Sequence, residues 1–244
     1  MKSISSALSA HYIERCKAVI FDLDGTLFDS KHLALRLVAA APFDMFTIRA
    51  ERQARQELAG CDFGTADRYY DAFFGVMSRI TKKTSSALRH WYFDRYMPLF
   101  CNVLQQYYSP RPGTAELFDA LAGVSINMAV YSDYPNVWQR LTAIGIEPDV
   151  FGDDLYSPDD FGAQKPAPRP FLTIADTFGC RPEHVLVVGD REDTDGAGAE
   201  AAGMPYIRIA GHRKAVHPYP CFTWDAWTAL AHSTIERCSV SHAM

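Results

Sequence analysis

The sequence predicts an α/β protein, a doubly wound parallel sheet with an all-helical domain inserted after its first strand. Three observations predict it. Short apolar runs end abruptly in polar residues and glycine, and helix-like stretches alternate with them. One long segment, 30–109, has helical patterning and no β-branched strand run. With 244 residues, 48% of them hydrophobic, the chain can build one large domain or a core with a smaller lobe.

The first run, residues 17–21 (KAVIF), is stopped by Asp22-Leu23-Asp24-Gly25-Thr26. Brief and mostly apolar, it has the character of a strand buried on both faces of a parallel sheet. Residues 127–131 (NMAVY) end in Ser132-Asp133, and residues 185–188 (VLVV) end in Gly189-Asp190. Residues 205–209 (PYIRI) are a fourth candidate. Helical patterns lie between them. Pro112-Gly113 opens a stretch with Leu117, Phe118 and Leu121 at helical spacing. Pro135 stands before 136–144, which Gly145 ends, and Pro168 and Pro170 lead into 171–178, which Gly179 ends. Proline in a first turn and glycine just past the last mark helix starts and stops. The alternation predicts a Rossmann-like core made of residues 1–29 and 110–244.

Segment 30–109 is expected to form a separate helical cap, with helix-like stretches near 32–41, 44–58, 66–80 and 85–108. Its exit is the linker-like Ser109-Pro110-Arg111-Pro112-Gly113. Its cations Arg49, Arg52, Arg55, Lys82, Lys83 and Arg89 could reach a second charged group of a substrate, with a solvated helix face expected for most of them. Its aromatics, Phe46, Tyr69, Tyr70, Phe73, Phe74, Trp91, Tyr92, Phe93 and Tyr96, are expected to pack on one another or on a core. In the tail, Trp224 and Trp227 are expected against the sheet, and His212 and His217 in solvent.

Composition excludes several classes. A formal charge of −5 argues against a nucleic-acid partner, since such affinity rests on Lys and Arg neutralising phosphates. It leaves room for a small phosphorylated substrate, which needs only a few local cations. No apolar run approaches the roughly 18 residues of a membrane span. The N-terminal stretch is broken by His11, Glu14 and Arg15 and lacks a signal-peptide pattern. Six scattered cysteines fit reduced thiols. The expectation is a soluble, cytoplasmic protein with no membrane partner. Nothing in the sequence speaks to its oligomeric state.

Ligands of open parallel sheets bind beyond the carboxyl ends of the strands. Here those ends carry Asp22 and Asp24, then Ser132 and Asp133, then Asp190, with Asp195 following in a glycine-rich turn. Residues two apart in an extended backbone point to the same side, so Asp22 and Asp24 can face one ligand. Carboxylates gathered in one pocket repel each other unless protons or a cation intervene. A hard divalent cation such as Mg2+, bound by oxygen ligands, waters and substrate phosphate, suits such a cluster. Arg191 and Asp193, beside these acids, are candidate supporting groups.

Asp-x-Asp-Gly-Thr after one strand, Ser132 after another, Lys165 in Gln164-Lys165-Pro166 and Gly-Asp-x-x-x-x-Asp after a third occur in one order. That ordered set resembles the haloacid dehalogenase superfamily over residues 17–209. The resemblance implies Asp22 as nucleophile, Asp24 as general acid/base, and Ser132 and Lys165 as phosphate-binding groups. It also implies Mg2+ held by Asp22, the Asp24 backbone carbonyl and Asp190, with Asp195 close by. The superfamily's dehalogenase and phosphonatase branches do not carry Asp two residues after the nucleophile, so Asp24 points to its phosphatases. The implied substrate is a small phosphorylated metabolite, phosphoglycolate- or sugar-phosphate-like. A phosphomutase on the same core and a catalytically silent binding module are the alternatives.

Overall fold

The computed structural model describes the backbone of residues 2–210 and 219–242 and the side chains of 7–210 and 219–238. Its centre is a six-stranded sheet in the order β3-β2-β1-β4-β5-β6, with every neighbouring pair parallel. The strands are β1 (Ala18–Phe21), β2 (Asn127–Tyr131), β3 (Leu155–Tyr156), β4 (Val185–Gly189), β5 (Tyr206–Ile209) and β6 (Cys221–Phe222). From β1 the chain builds outward through β2 and β3, then returns to place β4 on the opposite side of β1. The switch point of a doubly wound sheet therefore lies between β1 and β4, where such folds open a crevice.

Alternation along β1 sorts its side chains onto two faces. Val19 and Phe21 join one buried cluster and Ala18 and Ile20 the other. The second face is covered by Phe171 and Ile174 of α10 (Pro168–Thr177) and Ala199 of α11 (Ala197–Ala201). The first is covered by Leu117 and Phe118 of α7 (Thr114–Gly123) and by Trp224 and Trp227 of α12 (Trp224–His242). Both tryptophans are buried, as the sequence suggested. A helix that the sequence reading did not identify, α1 (Lys2–Arg15), packs on α12. Residues 212 and 217 lie outside the described residues. No helix among the described residues is long and apolar enough to cross a membrane.

Between β1 and α7 the chain is helical: α2 (Leu33–Ala40), α3 (Met45–Glu57), α4 (Ala66–Thr81), α5 (Ser85–Trp91) and α6 (Met97–Tyr107). Thr65 caps α4 by accepting from the Arg68 amide, and Thr84 caps α5 by accepting from that of Ala87. Tyr69, Tyr70, Phe73, Phe74 and Met77 form one buried stripe on α4 and continue the Val19–Phe21 core into the insertion. The stretch 85–107 is helical throughout, as the pattern suggested, but not α-helical throughout. A π-helical turn at Tyr92–Tyr96 separates α5 from α6 and turns Tyr92 inward, fully buried.

One loop of the insertion is bonded to the core through its backbone. Asp62 and Ala163 form an antiparallel bridge; the Phe63 amide donates to the Gly162 carbonyl (2.9 Å) and the Gln164 amide to that of Cys61 (3.1 Å). The Gly60 amide donates to the Lys165 carbonyl at 3.1 Å. Arg169 adds a two-pronged ion pair to Asp62, with contacts of 2.5 and 2.7 Å. The insertion is thereby tied to the backbone of a residue whose side chain enters the site.

Candidate active site

β1 ends at Phe21 because Asp22-Leu23-Asp24-Gly25 turns the chain at the carboxyl edge. The Asp22 amide still donates to the Val188 carbonyl at 2.9 Å, which fixes the Asp22 side chain at the switch point. Its carboxylate accepts from Thr26 Oγ1 (2.9 Å) on one oxygen and from Lys165 Nζ (2.8 Å) on the other. Lys165 Nζ also donates to Asp195 Oδ1 at 2.7 Å. Burial by itself would lower the Lys165 pKa, but Asp195, Asp22 and Asp133 outweigh it and hold the ammonium well above its usual range.

Asp190 follows β4, and Asp195 comes from a π-helical turn at Glu192–Gly196 that points it back to the strand end. Oxygens of Asp22, Asp190 and Asp195 lie within 4.8 Å of one another. Burial, then the charges of Asp22 and Asp195, push Asp190 up to about 8. Burial, with Asp22 and against Lys165, pushes Asp195 up to about 7. Three buried or half-buried carboxylates facing one ammonium leave an excess of negative charge, and all the donors are hard oxygens. This set fits a divalent cation such as Mg2+.

Asp24 and Ser132 meet on the other side of the site. Ser132, fully buried, donates to Asp24 Oδ2 at 3.4 Å and accepts from the Tyr134 amide at 3.2 Å. Asp133 turns away from them and accepts from the Lys165 amide at 3.0 Å, linking the loops after β2 and before α10. The six residues singled out from the sequence, Asp22, Asp24, Ser132, Lys165, Asp190 and Asp195, thus come from four separate segments and converge. Arg191 reaches the site through its amide, 3.2 Å from Asp195 Oδ2, while its side chain and that of Asp193 pair with each other in solvent.

Three arginines were not singled out from sequence as site residues. Arg140, on α8 (Val137–Ala143), is fully buried and ion-paired to Asp24. Arg111 donates to the carbonyls of Thr26 (2.8 Å) and Gly25 (2.7 Å) and so pins the turn after β1. Arg55 is an exception to the solvated face expected for most of the insertion's cations, which holds for Arg49 and Arg52. Its guanidinium is buried between Glu51 (2.5 Å), the hydroxyl of Tyr92 and the backbone carbonyl of Asp133, over the Tyr134 ring. The aromatic stripe of α4 and the π turn removes water around it, so the charge is met by protein partners.

The haloacid dehalogenase-like hydrolase family matches this sequence over residues 16–203, which takes in all six site residues. The chain belongs to that family. Among curated proteins, the phosphoglycolate phosphatase of Rhodospirillum rubrum is 30% identical over 78% of this chain and 78% of its own. The glyceraldehyde 3-phosphate phosphatase of Methanothermobacter thermautotrophicus is 27% identical over 79% of this chain and 85% of its own. The 2-haloacid dehalogenase of Pseudomonas syringae superposes with a TM-score of 0.62 at 20% identity, covering 91% of this chain and 99% of that one. At that identity the likeness speaks for the fold only. A shared fold does not fix the chemistry, which depends on the residues of the site.

Proposed function

We propose that the protein is a Mg2+-dependent phosphatase of a small phosphorylated metabolite, acting through an aspartyl-phosphate on Asp22. The observation that carries this reading is the set of contacts around Asp22: Lys165 and Thr26 on its oxygens, Asp190 and Asp195 across from it. The phosphatase names of the relatives agree with it.

Asp22 attacks phosphorus, forming a P–O bond as the bond to the leaving oxygen breaks, and Asp24 gives that oxygen a proton. A water then attacks the same phosphorus, its proton passes to Asp24, and the Asp22–phosphorus bond breaks. Ser132 and Lys165 hold phosphoryl oxygens: the hydroxyl stands 3.4 Å from Asp24 and the buried ammonium 2.8 Å from Asp22, so both donors lie beside the reacting carboxylates. Asp22, Asp190 and the Asp24 carbonyl would hold Mg2+, with Asp195 beside them. When bound it offsets charge on a phosphoryl oxygen. The helical insertion, 30–109, acts as a cap over this site, and the second carboxylate, Asp24, suits an oxygen leaving group, which needs a proton.

The test is release of inorganic phosphate from p-nitrophenyl phosphate and from small metabolites, phosphoglycolate and glyceraldehyde 3-phosphate among them. The reading predicts turnover that needs Mg2+ and stops on chelation. No release from any phosphate ester with Mg2+ present would refute it.

A further inference from the structure

We propose that Arg140 is the positioning residue for Asp24: it occupies one carboxylate oxygen and leaves Oδ1 as the one that carries the proton in both half-reactions. This rests on the phosphatase reading above and adds a residue to it.

Arg140 stands on the inward face of α8 with Val137 and Leu141, and its side chain is fully buried. The guanidinium donates to Asp24 Oδ2, to Ser132 Oγ at 2.9 Å and to the Tyr134 carbonyl at 3.3 Å. The rings of Phe100 and Tyr134 lie 4.9 and 5.4 Å from it, so the planar fork has little freedom. One side chain therefore fixes the residue proposed as acid/base and the hydroxyl proposed to hold phosphate.

The two oxygens of Asp24 are not equivalent. Oδ2 is held in the ion pair with Arg140, so a proton on it would face a cation. Oδ1 is buried and has no hydrogen-bond partner. An orphaned buried carboxylate oxygen is costly unless function supplies a partner. The leaving-group oxygen in the first step and the attacking water in the second are such partners. A buried ion pair contributes little to stability compared with an apolar pair of the same volume, so fold stability alone gives a weak account of Arg140.

If Arg140 works through Asp24, its loss must slow the second step, in which Asp24 takes a proton from water, and must do so for any leaving group. With p-nitrophenyl phosphate, whose leaving group departs without a proton, the aspartyl-phosphate then accumulates. The experiment is rapid-quench turnover of wild type, Arg140→Met, Arg140→Lys, Asp24→Asn and the Asp24→Asn/Arg140→Met double variant, each first shown folded by circular dichroism. Arg140→Met is expected to lose on the order of 10- to 100-fold in kcat, and KM for p-nitrophenyl phosphate should fall with it because the second step limits turnover. It should release a burst of about one p-nitrophenol per site and then turn over slowly, as P–O cleavage outruns hydrolysis. Arg140→Lys should recover part of the rate. The double variant should be no slower than Asp24→Asn alone.

Losses that multiply in the double variant, a slow Arg140→Met without a burst, or an Arg140→Met that matches wild type would each overturn the proposal. Where Arg140→Met does not fold, Arg140→Lys and its pairing with Asp24→Asn decide in the same way. A wild type that releases no p-nitrophenol with Mg2+ is a different result, and it removes the phosphatase reading itself.

Discussion

Gly25 and Asp190 are in contact across the switch point: a Cβ built on Gly25 would lie 2.2 Å from Asp190 Oδ2. The turn after β1 and the turn after β4 can close on each other only where the first has no side chain. Gly25 also has φ of +97°, a conformation that L side chains rarely adopt. Gly189 does the same for the second turn, with Asp195 Oδ2 2.4 Å from its would-be Cβ. The approach of the carboxylates is thus built into the backbone.

Gly25→Ala is therefore expected to cost about 1–3 kcal/mol of stability from backbone strain and to displace Asp190. Denaturant unfolding measures the first effect, and loss of Mg2+-dependent phosphate release the second. An alanine variant with unchanged midpoint and turnover would contradict the close approach.

Glu51 and Arg55 form a buried pair inside the insertion, and Arg55 carries it to the Asp133 carbonyl in the loop after β2. Arg55→Met strands the Glu51 carboxylate, whose pKa burial already pushes up against the pull of Arg55. It should destabilise the protein by about 3–5 kcal/mol, and the double change Glu51→Gln/Arg55→Met should restore much of that. Urea midpoints of Glu51→Gln, Arg55→Met and the double variant check it; additive losses would show that the two side chains act independently.

Without metal, the folded protein binds protons on Asp190 and Asp195 that the unfolded chain has already released. Their folded pKa values, raised to about 8 and about 7, make this pair favourable to folding at acid pH. That contribution is lost as pH rises from the ordinary carboxylate range through about 8. A bound divalent cation favours the ionised forms, so the rise in Tm produced by Mg2+ should grow between about pH 5 and pH 8. Thermal melts with Mg2+ and with chelator across this range measure it. A shift that shrinks with pH would contradict the acidic cluster as the metal site.

Much of the fold was legible because β1, β2, β4 and β5 are mostly apolar runs followed within two residues by a charged residue or glycine. β3 and β6 were not, since strands of two residues, Leu155–Tyr156 and Cys221–Phe222, are too short to show periodicity. The site residues were legible as strand-end acids in sequence order. The arginines that order them were not, because an arginine on a helix reads as solvated. A signal was present: Arg140 lies between Val137, Leu141 and Ile144, and Arg55 between Ile48, Glu51 and Leu58, at helical spacing within buried faces. A charge on an apolar stripe marks a buried ion pair or a site, and only the packing tells which.

The most direct test of the account is to quench wild type in acid during turnover of p-nitrophenyl phosphate with Mg2+ and to map the phosphoryl group by peptide mass. The account predicts one phosphoryl group on the peptide containing Asp22 and none in Asp22→Asn, which should also have lost nearly all turnover. Phosphate release that proceeds in Asp22→Asn, or a phosphoryl group carried on another peptide, would contradict it.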